Sequence, residues 1–554
     1  PLFADSAPPV NNDGSCVIIL APGATLLLSH FDVDMAGGET TLFTVPNVTQ
    51  LPQIAYITIW TDWSFPVLTY NIFLTGYDVQ SIDMGDVLRE GQLSAPNGTT
   101  SDSDAGGRSL DNDDNPQLDI FNCDNLAVTI PSRFLENIVS ALSTGLQPDS
   151  LFDRRCPNQR VGGAHPGHAV GYVTIDVVKS CDNMLPTEPG YFTTQILYDN
   201  VLTGDYQQVN WQRNVAYGAP MVHIRAIPEG GAPGTGSTNF ATTFYSNIQN
   251  GGTADRRQPL PSMFAARWIS GGEGNFKTDY RIWREAITRG DPRCAVTPNG
   301  SIDVAEIVRF DEDENPSSLV DAGADLAVSA LVSSDAIPFP PNPDGAEAGW
   351  MYMNLDYQRM LPGYSASQNW VTVAMDAEGR HAVQFNAASL GNGCTPAVAP
   401  AAEIAPAANT IQRTFASGAP TTVGNDESCD ASVQPAATLL LPYFEVDLSD
   451  PAGETTLFTI TNVGALPQIA RVTIWTDYAF PVLTFNLFLT GYDVKSVNLY
   501  DVLAQGRIAN PGSSHSDVGA RSAENDGNPL LELAGCDGLL DHVPAQIQAD
   551  LRSA

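Results

Sequence analysis

The sequence predicts an all-β protein: tandem β-sandwich modules of the immunoglobulin-like kind, set around a larger β-rich middle region. Three observations carry this expectation. A module near the N-terminus returns near the C-terminus. Inside each copy, apolar and polar residues alternate between Gly and Pro punctuation. The cysteines recur with the module at the same spacing.

Residues 52–88 and 467–503 are identical at 26 of 37 positions. Upstream, ETTLFTVPNV at 39–48 returns as ETTLFTITNV at 454–463, and ATLLLSHF at 24–31 returns as ATLLLPYF at 437–444. The likeness runs on to Cys123 and Cys536 and then fades. Ile57 becomes Val472 and Ile59 stays Ile474, so one strand face remains apolar. Next to them, on the opposite face, Tyr56 becomes Arg471, which places position 56 on a solvent-facing side. Gly76-Tyr77-Asp78 and Pro66 punctuate the strands, and a further strand is expected to end in Asp86-Val87-Leu88.

Eight cysteines are present: Cys16, Cys123, Cys156, Cys181, Cys294, Cys394, Cys429 and Cys536. Cys16 and Cys123 stand 107 apart, and so do Cys429 and Cys536 (123 − 16 and 536 − 429). The simplest pairing staples each copy once and leaves Cys156–Cys181 and Cys294–Cys394. Closing a loop of that length stabilises by about 4 kcal/mol in the chain-entropy view. An even, duplicated set points to an oxidising compartment.

The expected organisation is an extended leader (1–15), sandwich copy 1 (16–145), a β-rich middle (146–395), an Ala/Pro-rich linker (396–428) and sandwich copy 2 (429–554). Strand-like runs in the middle cover 168–178, 220–227, 264–269, 302–310 and 370–385. Residues 133–142 read as a short helix with Leu135, Ile138, Val139 and Leu142 on one side. The start at Pro1, with no initiator Met, suits a mature protein whose signal peptide is gone, or a piece of something longer.

The net charge is −37. Such a field repels phosphate backbones, so nucleic acid is excluded as a partner. No run of 18 apolar residues occurs, so no helical membrane span is expected. Each copy carries an acidic loop, SDSDAGGRSLDNDDNP at 101–116 and SHSDVGARSAENDGNP at 514–529. Asp104, Asp111 and Asp113 in the first, with Asp517, Glu524 and Asp526 in the second, offer the hard oxygens that Ca²⁺ requires. The spacing is not that of an EF-hand, and a solvated loop with Asx turns competes with it. His165-Pro166-Gly167-His168 reads as a turn, because Pro-Gly forbids the helix that would aim both imidazoles at one metal. Asp311 to Glu314 reads as a charged turn, and the eight tryptophans read mainly as packing residues. GxSxG, HExxH and P-loop patterns are absent, as is a GxGxxG leading into a helix, which lowers the expectation of an enzyme.

The stretches ATLLLPYFEVDL (437–448), TTLFTITN (455–462), FNLFLTGYDV (485–494), PLPSMFAARWISGG (259–272), EIVRFDEDENP (306–316) and GWMYMNLD (349–356) resemble a family of secreted bacterial β-rich proteins of uncharacterised function. The resemblance covers most of 14–395 and the C-terminal copy. It implies an extracellular or cell-surface location and brings no activity or site residues. A family member usually holds one copy of the module, so the second copy here is a departure.

Two copies around a different middle suggest two attachment points. The expected function is therefore an extracellular structural protein, binding copies of itself head to tail in a fibre or surface array. The linker could add a strand to a neighbour's sheet edge. A calcium-assisted adhesin, recognising a glycan or a surface protein, is the second expectation, and a secreted hydrolase the third.

Overall fold

The computed structural model describes residues 22–93 (except 50), 118–119, 129–146, 160–226 (except 189), 244–245, 255–285 in part, 306–389 in part, 438–508 in part and 543–553. The chain is all-β, built from antiparallel sheets with few helices.

The first copy supplies β1 (Thr25–Asp34), β2 (Glu39–Pro46), β3 (Gln53–Thr61), β4 (Pro66–Leu74) and β5 (Val79–Asp83). Pro66 opens β4, where its missing N–H costs least. The turn before β5 closes with the Asp78 N–H donating to the Thr75 carbonyl at 3.2 Å. Asp86-Val87-Leu88 does not end a strand, as the sequence suggested. It lies in a π-helical turn, Asp86–Glu90, that stops at Gly91 in the left-handed conformation (φ +71°). Helix α1 (Ser132–Thr144) turns Ile138, Ala141 and Leu142 inward.

The middle supplies β6 (His168–Val178), β7 (Asp205–Asn210), β8 (Val215–Pro220) and β9 (Val222–Ile224). These strands do not form a domain of their own. One sheet has the order β4-β3-β6-β1-β9, and another the order β5-β2-β7-β8. The expected boundary between 145 and 146 therefore passes through both sheets. The reason lies in β6, whose Val, Ile and Tyr content is buried on both faces from Ala169 to Val178. Such a strand needs a neighbour at each edge. It pairs Ile175 with Ile57 of β3 on one side and with Leu26 of β1 on the other.

One core fills the space between these two sheets, with Leu26, Leu28, Ile57, Ile59, Val173 and Ile175 at its centre. Covering the far face of the first sheet are Tyr191, Phe192 and Ile196, which enclose Ile54 and Tyr56. Tyr56 is fully buried, 6.1 Å from the Tyr191 ring. The expectation that position 56 meets solvent thus fails in this copy.

Beyond lie β10 (Met263–Ile269), β11 (Lys277–Arg284), β12 (Glu306–Asp311), β13 (Pro316–Val320), β14 (Ser329–Ser333), β15 (Ala348–Asn354), β16 (Asn369–Asp376), β17 (Ala382–Asn386) and β18 (Ala388–Ser389). They form sheets ordered β13-β12-β15-β10-β18 and β14-β11-β16-β17. The single run expected over 370–385 is in fact two strands, β16 and β17. A second core joins Trp268, Trp283 and Trp370 to Trp60 and Tyr172 of the first sheet.

The C-terminal copy supplies β19 (Leu457–Thr461), β20 (Gln468–Trp475), β21 (Pro481–Leu489) and β22 (Val494–Asn498), a second π-helical turn (Asp501–Gln505) and helix α2 (Ala545–Ser553). Among the described residues no helix is long and apolar enough to cross a membrane.

Candidate functional site: the repeated module

The C-terminal copy reproduces the first in detail. Pair β20–β21 repeats the register of β3–β4, including the shift between Ile474 and Trp475 that matches the shift between Ile59 and Trp60. Pair β19–β22 repeats β2–β5, with Leu457 opposite Asn498 as Leu42 is opposite Asp83. Ala479 has φ +58° where Ser64 has φ +64°. The Val543 N–H donates to the Gly506 carbonyl as the Ile130 N–H donates to that of Gly91. The repeat therefore extends past Cys536 into the helix, further than the residue matches alone indicate.

The described residues of the C-terminal copy correspond to β1 to β5, the π-helical turn and α1 of the first. Among the described residues, β20 pairs only with β21 and β19 only with β22. Among the described residues, the segment 438–448, equivalent to β1, is not paired as a strand. It is nonetheless held in the place of β1. The Thr456 hydroxyl donates to the Glu445 carbonyl and accepts the Glu445 N–H, as Thr41 does with Asp32. Phe444 and Val446 pack on the same small core as Ile474, Phe485 and Leu487.

Side chains change surroundings accordingly. Leu26, Leu27 and Leu28 are fully buried, whereas their equivalents Leu439 and Leu440 are 64% and 74% exposed and Leu441 is exposed. Trp60 is fully buried, stacked on Tyr172 of β6 at 5.8 Å, and its Nε1–H donates to the Thr174 hydroxyl at 2.9 Å. Trp475 is 51% exposed. Arg471 is exposed where Tyr56 is buried under Tyr191 and Phe192.

The other candidate chemistry is sparser. Asp104, Asp111, Asp113, Asp517, Glu524 and Asp526 lie outside the described residues. So do Cys16, Cys123, Cys156, Cys294, Cys394, Cys429 and Cys536. Cys181 is buried and disulfide-bonded, so its partner is among those seven. Among the described residues no three His, Cys, Asp or Glu side chains are grouped to hold a metal. His165-Pro166-Gly167-His168 is a turn, closed by the His168 N–H on the His165 carbonyl at 2.9 Å with Gly167 at φ +82°. Its imidazoles tie back to the sheet. His165 Nε2 lies 3.0 Å from the Asp62 carboxylate, and His168 Nδ1 lies 2.7 Å from that of Asp32. Burial disfavours the charged form of His168, but the bond to Asp32 outweighs it and raises the pKa. Neither ring is hydrogen-bonded to a hydroxyl or thiol among the described residues, so no activated nucleophile is assembled there. A surface cleft of about 430 Å³ beside β2 and β5 is lined by Asp83, Asp86 and Asp205. Asp83 accepts from the Thr40 hydroxyl and Asp205 from that of Thr44, so two of these carboxylates serve the strands.

No family model, curated protein or solved structure matches the chain.

Proposed function

We propose that this chain is a secreted structural protein of the cell surface or matrix, assembled head to tail through its two module copies. One observation supports the reading: the strand pairs β3–β4 and β2–β5 of the first copy return in the same register as β20–β21 and β19–β22 in the second. Two like modules around a different middle offer two attachment points, and contacts between unlike surfaces generate open chains rather than closed dimers.

In this reading each copy is an immunoglobulin-like sandwich. The extracellular setting rests on the resemblance to secreted bacterial proteins and on the duplicated cysteine spacing. Sedimentation velocity and negative-stain electron microscopy of the full chain test it. Oligomers that lengthen with concentration are expected. A monomer at every concentration up to the solubility limit contradicts it.

A further inference from the structure

We propose that the outward face of the β10–β15 sheet is a docking surface for the C-terminal copy of a second chain, gripped through Val494 of β22. This rests on the head-to-tail reading and names the two surfaces that meet.

The seat follows from alternation along its strands. On β10, Phe264, Ala266 and Trp268 turn into the second core, which leaves Met263 and Ala265 on the outer side. On β15, Met351 and Met353 turn in, and Trp350 and Tyr352 stand out. The register sets these outer residues in rows. Ala265 lies between Tyr352 on one neighbour and Ala388 on the other. Phe310 of β12 lies beside Trp350 and stacks on it at 4.0 Å. The Tyr352 hydroxyl donates to the Met263 sulfur at 3.1 Å, which ties the patch together. A sheet that is apolar on both faces needs a cover on each, and the second core covers only the inner one.

Val494 provides the cover. It packs on Ala265, with Met263, Trp350, Tyr352 and Ala388 around the pair. Its exposure is 5%, whereas its equivalent Val79, which opens β5, is 55% exposed. The local sequence is the same, LTGYDV at 74–79 and at 489–494. The pairing is the same too, with Val494 opposite Thr461 as Val79 is opposite Pro46. Two residues on, Ser496 is half-buried where Ser81 is exposed. One strand face of the module is therefore open in the first copy and closed in the second. The closing groups belong to the middle strands and not to the module itself.

The same contact can join two chains. Between Ser389, at the end of β18, and Thr438 lie 48 residues (438 − 389 − 1). A chain of that length reaches at most about 160 Å, so a C-terminal copy can sit on its own middle sheet or on a neighbour's. The residues that meet are identical in both cases, and concentration decides between them. The patch on β10–β15 differs from the face of β22, so each chain keeps one of each free to extend the assembly.

The test uses the full chain, prepared with ¹⁴N and with ¹⁵N, carrying a benzophenone amino acid in place of Val494. The two preparations are mixed and illuminated over a concentration series. Cross-links to peptides of β10 or β15 are expected, with a mixed-isotope share that rises with concentration. In sedimentation velocity, Val494→Asp and Ala265→Arg should each weaken association by about tenfold or more, because each sets a charge against an apolar face. Because the two changes lie on opposite partners, a loss shared by both does not reduce to misfolding of one copy. Val79→Asp, at the open equivalent, should leave association unchanged. Cross-links confined to one isotope at every concentration overturn the proposal, and so do cross-links that miss both strands. Mixed cross-links in particles that stop at a dimer would mean a closed exchange and also overturn it. Assembly that grows unchanged in Val494→Asp and Ala265→Arg would leave the head-to-tail reading standing and sink this one. A chain that stays monomeric sinks both.

Discussion

Gly171→Ala is the most informative single change in the first copy. A Cβ at 171 would sit well under 3.0 Å from the Trp60 carbonyl oxygen, and the Phe31 ring lies at 3.0 Å on another side. Overpacking of this kind costs about 1–3 kcal/mol, and the upper end applies because the obstacle is backbone, which cannot rotate aside. Moving β6 outward also weakens the Trp60–Thr174 hydrogen bond of 2.9 Å and the Trp60–Tyr172 stack at 5.8 Å. These are worth about 1 kcal/mol and about 0.5–1.5 kcal/mol respectively. The expected loss is therefore ~4 kcal/mol in the local stability of the sheet. Native-state hydrogen exchange of the β3 amides reads that quantity directly, without assuming two-state unfolding of a long chain. Gly218→Ala is the control, since its Cβ would meet nothing nearer than 3.5 Å. If the two variants protect β3 equally, β6 is not seated against Trp60 and the reasoning fails.

Three further expectations can be checked separately. Leu26→Ala should cost about 2–5 kcal/mol, whereas its repeat equivalent Leu439→Ala should stay within about 0.5 kcal/mol, as measured by urea denaturation of each variant. Burial, with smaller contributions from Arg281 and His165, pushes the imidazole of His30 down to about 3. The unfolded chain binds a proton near pH 6.5 that the native state refuses, so stability should fall by about 1.4 kcal/mol per pH unit as pH drops from about 6.5 towards 3. His30→Asn should flatten that dependence in thermal melts taken across this range, and an unchanged slope would refute it. Peptide mapping under non-reducing conditions should join Cys181 to Cys156, and Cys16 to Cys123; any other partner for Cys16 would break the scheme drawn from the repeat.

Local order was legible in the sequence because it follows from alternation and punctuation over a few residues. The run at 168–178 read as a strand and is β6. The face of α1 formed by Ile138 and Leu142 was also visible. Long-range partnership was not. Ile57 meets Ile175 across 118 positions (175 − 57), and nothing local encodes that meeting. For this reason the boundary near 145 was drawn through a sheet. The error at Tyr56 has a related cause. Reading Tyr56 against Arg471 considers the repeat alone, but Tyr56 is covered by Tyr191 and Phe192, which stand more than 130 positions further on and outside the repeated stretch.

The assembly reading is tested most directly by sedimentation velocity of the full chain over a concentration series. Species whose mass grows with concentration are expected, and the same growth should appear as lengthening particles in negative stain. A monomer at every concentration up to the solubility limit would contradict the account.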